Sequence, residues 1–169
     1  PHVHIHLPFM GTNAKDDYES ASKAALAGGT TTIIEMICPG PEDEPLNAFH
    51  EWNEKAKPLA AVDYSFHMAV VRFDELAKTQ LQQIVHDHGI ASFKIFLAYQ
   101  GALSLDDSDL FDLLSFAKDL GVITTAHCEN ADAIDSMQSK LINDGKIGPQ
   151  WHEPSRPVYV EAEGVHHLA

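Results

Sequence analysis

The chain has 169 residues, 44% of them hydrophobic, which is enough for one domain with a core of its own. With 11 basic against 25 acidic residues its formal net charge is -14, which argues against nucleic acid or an anionic membrane surface as a partner. The two cysteines, Cys38 and Cys128, form no CxxC pair, so a reducing, cytoplasmic setting is expected rather than a disulfide framework.

Hydrophobic periodicity divides the chain into alternating strands and helices. Residues 3–7 read as a short strand with histidines on one face. A helix over 16–27 follows, with Tyr18, Ala21, Ala25 and Leu26 on its apolar side and Gly28 and Gly29 to stop it. The β-branched run 30–38 is a buried strand, followed by a proline- and acid-rich loop and a helix over 46–56. Strand 62–71 leads to helix 75–88, and strand 91–98 to a strongly amphipathic helix over 106–120, ended by Gly121. Strand 122–127, helix 133–143, a loop over 145–157 and a helix starting at 160 complete the chain. No apolar run approaches the length of a membrane span, and no basic-then-apolar leader opens the chain.

Five consecutive βα units with near-continuously apolar strands call for a parallel α/β sheet covered by helices. An open doubly wound sheet and a (β/α)8 TIM barrel both have that form. No glycine-rich phosphate loop follows the first strand, and ligand-type residues gather at the C-terminal ends of strands one, four and five, where barrels keep their chemistry. A barrel needs eight strands and about 250 residues. The expectation is therefore a partial (β/α)8 barrel, with 1–169 as the N-terminal half of a longer domain.

Eleven histidines are the anomaly of the composition. In the first strand, His2 and His4 project to the same side one pleat apart, as a pair of metal-ligating imidazoles would, or as two polar residues of a barrel interior. His6 continues that face but is a weaker candidate, because Leu7, Pro8 and Phe9 end the strand there. Lys94 lies mid-strand among apolar neighbours, where desolvation lowers an amine's pKa. A neutral amine there can act as a nucleophile or a base, or add carbon dioxide to become an anionic carbamate. The bland alternative is a structural lysine paired with Glu35 or Glu129. His127 ends the fifth strand at the same mouth, and His67 on the third strand reads as a core histidine.

The fragments PHVHIHLPFMGT, AALAGGTTT, SFKIFLAYQG, AHCEN and GPQWHEPSRP, followed by EAEGVHHLA, resemble in order and interval the D-hydantoinase and dihydropyrimidinase family of cyclic amidohydrolases. The resemblance runs from the first residue to the last. It implies two divalent metal ions, zinc expected, with His2 and His4 on one, His127 on the other, and a carbamylated Lys94 bridging them. It implies that Tyr99 hydrogen-bonds the ring carbonyl and the oxyanion formed from it. Leu7, Phe9, Phe96 and Leu103 would shape the pocket for the ring substituent.

The implied reaction is ring opening of a hydantoin or dihydropyrimidine to an N-carbamoyl amino acid by a hydroxide held between the two cations. The substrate is then a small-molecule cyclic amide, and the complete enzyme a homo-oligomer, a tetramer in the family. The family's sixth-strand histidine and eighth-strand aspartate would lie beyond Ala169, and its small β-sandwich is missing, so the stretch alone is expected to be inactive. Two further readings share the fold. Allantoinase or dihydroorotase would use the same apparatus, although apolar Leu7, Phe9 and Phe96 disfavour a carboxylated ring. A non-catalytic collapsin response mediator-like protein would have lost metal ligands, whereas His2, His4, Lys94 and His127 are all present.

Overall fold

A computed structural model describes residues 2–9 and 11–169, with the side chain of Phe9 outside that description. Five parallel strands form one sheet in chain order: β1 (His2–Val3), β4 (Thr32–Ile37), β5 (Asp63–Ala69), β6 (Ser92–Phe96) and β7 (Ile123–His127). Between the first two lies a small antiparallel pair, β2 (Pro8–Phe9) and β3 (Thr12–Asn13), turned through Gly11 at φ +77°. The helices are α1 (Tyr18–Ala27), α2 (Pro45–Ala56), α3 (Glu75–His88), α4 (Asp107–Leu120), α5 (Ala131–Asn143) and α6 (Val158–Leu168). The sheet is a curled half-barrel carrying its helices, and its strand order among the described residues runs in sequence, without the reversal of a doubly wound sheet.

Local chemistry sets the helix limits. Asp17, Asp74, Asp106 and Asn130 each accept a backbone N–H of the first turn through the side chain. Gly89 and Gly121 end α3 and α4 in the left-handed conformation that a β-carbon disfavours. No helix among the described residues is long and apolar enough to cross a membrane.

Strand alternation and register sort the side chains into two sets. Val3 pairs with Glu35, Glu35 with Phe66, and Met68 with Phe93. This set faces the helices, where Ile33, Ile37, Phe66, Met68, Phe93 and Ile95 pack with Phe49, Trp52, Leu81, Ile84, Leu110 and Leu113. Each such side chain, fully buried, contributes about 1.5–3 kcal/mol.

The second set faces the inside of the curl. Its registers are His2 with Ile34, Met36 with His67, Ala69 with Lys94, Lys94 with Thr125, and Phe96 with His127.

Candidate active site

The inward set brings the ligand-type residues onto one face. His2 and His4 turn their Nε2 atoms to within 2.8 Å of each other, and the His67 ring lies 4.9 Å from that of His2. His67 is buried and its Nδ1 is 2.5 Å from Ser92 Oγ, so it is a satisfied core histidine that also borders the pair. Burial, together with the positive charge of Lys94, pushes His4 and His67 below the usual imidazole range. His2 falls to about 4, through burial first and then His4, His67 and Lys94. Lys94 is itself lowered by burial, partly offset by Cys128 and Cys38.

Lys94 forms no ion pair among the described residues, and neither carboxylate proposed for it is available. Glu35 sits on the opposite side of the sheet, where its Oε1 accepts the backbone N–H groups of Ile5 (2.8 Å) and His6 (2.6 Å). Glu129 pairs instead with His127, Oε2 to Nε2 at 2.5 Å. The Lys94 amine lies 5.3 Å from the Phe96 ring centre, and that ring is 6.1 Å from His127, which links the two halves of the site.

His6 does not extend the ligand face. Once Glu35 has captured the amides of Ile5 and His6, the strand ends at Val3 rather than at residue 7, and the His6 ring swings away. It meets Lys55 Nζ at 2.7 Å and the Trp52 ring at 5.2 Å on α2.

Tyr99 follows β6 with φ +67°, a backbone conformation that costs a tyrosine free energy and is held where neighbours over-determine it. Its carbonyl accepts the N–H groups of Ala102 (3.1 Å) and Leu103 (3.0 Å), and its ring lies 5.6 Å from that of His127. Leu7, Phe96, Leu103 and Tyr99 join Met36, Ala69, Val71 and Cys38 in a separate apolar cluster beside the histidines. The Phe9 side chain lies outside the described residues.

Two cavities flank the site without being lined by its histidines. One of about 310 Å³ is bordered by Pro8, Cys38, Trp52 and Leu103. The other, about 650 Å³, lies between α4, α5 and α6 and includes Glu129 and Asn130.

Among the described residues no three His, Cys, Asp or Glu side chains group closely enough to hold an ion by themselves. The His2–His4 pair offers two donors, and Lys94 lies on the same inward face with its charged form disfavoured by burial. Imidazoles and an amine whose charged forms are disfavoured by burial suit metal ligation.

No protein-family model matches the chain. It is 40% identical over 166 residues to D-hydantoinase from Geobacillus stearothermophilus, covering 98% of this chain and 35% of that protein. It is 37% identical over 164 residues to dihydropyrimidinase from Dictyostelium discoideum, covering 97% of this chain and 33% of that protein. Among solved structures, a D-hydantoinase (dihydropyrimidinase) from Thermus sp. superposes with a TM-score of 0.95 at 55% identity, covering 99% of this chain and 36% of that one. The chain thus spans about a third of the length of the curated relatives it matches. Over that span, in sequence and in fold alike, it belongs to the D-hydantoinase and dihydropyrimidinase family.

Proposed function

We propose that the protein carrying this chain is a metal-dependent cyclic amidohydrolase that opens hydantoin or dihydropyrimidine rings to N-carbamoyl amino acids. The observation that carries the reading is the gathering of His2, His4 and Lys94 on the inward face, where burial disfavours their charged forms, beside an apolar wall that includes Tyr99. The relatives' names, hydantoinase and dihydropyrimidinase, agree with it.

In this reading His2 and His4 would hold one divalent cation, zinc in the first instance, His127 would hold a second, and Lys94, as a carbamate, would be a ligand to both. Bound there, the cations supply Lewis acidity and a water acidic enough to attack a ring amide at neutral pH.

The chain's own residues then orient the substrate. The Tyr99 hydroxyl donates to the ring carbonyl oxygen and strengthens that bond as negative charge develops. Leu7, Phe96 and Leu103 receive the ring substituent and exclude water from it. Ser92 holds His67, whose ring backs that of His2. A small-molecule substrate, a cytoplasmic setting and a homo-oligomeric enzyme belong to the same proposal.

The test is a ring-opening assay of the complete protein with dihydrouracil, hydantoin and 5-phenylhydantoin, before and after chelation. Opening of at least one ring that chelation abolishes is expected. A fully metallated protein that opens none of them contradicts the reading.

A further inference from the structure

The strand end that carries His127 is gripped by a loop further along the chain, at Arg156. Glu129 lies between the two. Its Oε2 is 2.5 Å from His127 Nε2, and its Oε1 is 3.6 Å from Nε of Arg156. Both charged side chains are largely buried, Glu129 at 15% and Arg156 at 18% exposure, so their attraction is screened less than at the surface.

The guanidinium is fixed on its other edge too. Its Nη1 donates to Ser155 Oγ at 3.1 Å, and with the Gln138 amide turned so that its oxygen faces the guanidinium, that oxygen accepts from Nη1 (3.0 Å) and Nη2 (3.2 Å). The backbone is tied alongside. Asn130 N–H donates to the Val160 carbonyl at 3.1 Å, and Asn130 Nδ2 to Glu163 Oε2 at 2.6 Å.

We propose that Glu129 and Arg156 are positioning residues that fix the orientation and tautomer of His127, a role that rests on reading His127 as a cation ligand. A carboxylate can only accept, so the imidazole nitrogen facing it, Nε2, carries the proton and Nδ1 keeps the lone pair. Phe96 and Tyr99 pack near the ring while Glu129 holds its edge. Arg156 keeps Glu129 from turning to solvent. Because Arg156 Nε meets Glu129 Oε1 at 3.6 Å, beyond hydrogen-bond distance, the contact asks for charge more than for shape.

The experiment is cobalt(II) titration of the complete protein, read by visible absorption, for the wild type, Arg156→Met, Arg156→Lys and Glu129→Gln. It is paired with crystal structures of the metal-free wild type and Arg156→Met. In Arg156→Met and Glu129→Gln the second equivalent of cobalt should bind about ten- to a hundredfold more weakly and with an altered spectrum, the range typical for loss of a ligand's outer partner. The first equivalent should be untouched, Arg156→Lys should recover most of the loss, and the His127 ring should be rotated in the Arg156→Met crystal.

Unchanged cobalt affinity and spectrum in Arg156→Met overturns the proposal. Should that variant fail to fold, the near-isosteric Glu129→Gln decides by the same titration. A wild type that takes up no cobalt contradicts the metal reading instead, and the His127 orientation in the two crystals then decides the positioning role by itself.

Discussion

Gly164 on α6 faces the backbone of Cys128 so closely that a β-carbon there would lie 2.7 Å from the Cys128 carbonyl carbon, and equally close to Glu129 N. The obstacle is backbone, which has little room to give. The helix therefore seats directly on the His127–Glu129 turn, and only glycine allows it. Gly164→Ala should destabilise the protein by about 1–3 kcal/mol, the usual cost of overpacking, measured by urea denaturation. Ring-opening activity should fall further than the stability loss alone accounts for, because the displaced backbone carries His127. An alanine variant with unchanged midpoint and rate would mean that α6 can slide without consequence.

Glu35 supplies the second prediction. Its carboxyl is buried, one oxygen serves two backbone amides, and the other shares its burial with the Tyr18 hydroxyl. Removing the acceptor strands two N–H groups, at about 1–3 kcal/mol each. Glu35→Ala should therefore lose about 2–6 kcal/mol, while Glu35→Gln, which keeps an oxygen acceptor, should lose far less. The pH dependence has a definite sign. Burial raises the Glu35 pKa, outweighing the hydrogen bonds that lower it, so the folded state holds this proton more tightly than the unfolded state does. Its contribution to stability is fully present below the unfolded carboxyl value and is lost as pH rises through the folded one. Denaturation midpoints across the acid range should show that slope in the wild type and lack it in Glu35→Gln.

Much of this was legible in the sequence, and the reasons for the rest are physical. The five βα units, their order and the inward positions of His2, Lys94 and His127 follow from periodicity and alternation, which are local properties. The fate of His6 was not legible, because a carboxylate 29 residues away captures its amide and ends the strand early. Glu35 and Lys94 looked like plausible partners until the register between β4, β5 and β6 put them on opposite faces. The His127–Glu129–Arg156 chain joins a strand end to a loop, and no periodic signal links those two.

Tyr99 yields a third prediction. Phenylalanine keeps the β-carbon and ring, so the left-handed backbone at φ +67° and the packing against Phe96 should persist. If the hydroxyl stabilises developing charge, Tyr99→Phe should lower kcat about a hundredfold, with little change in KM or thermal stability. A loss confined to KM would make Tyr99 a ground-state contact only.

The central claim is that Lys94 acts through an anionic carbamate and not as a cation, and ring-opening rates of Lys94→Ala and Lys94→Arg, with and without added propionate, test it most directly. Arginine stays protonated and cannot form a carbamate. The account predicts near-complete loss of activity in both variants, partial recovery of Lys94→Ala when propionate supplies carboxylate oxygens, and no recovery of Lys94→Arg, whose side chain fills the space. Full activity in Lys94→Arg with two cations still bound would contradict it.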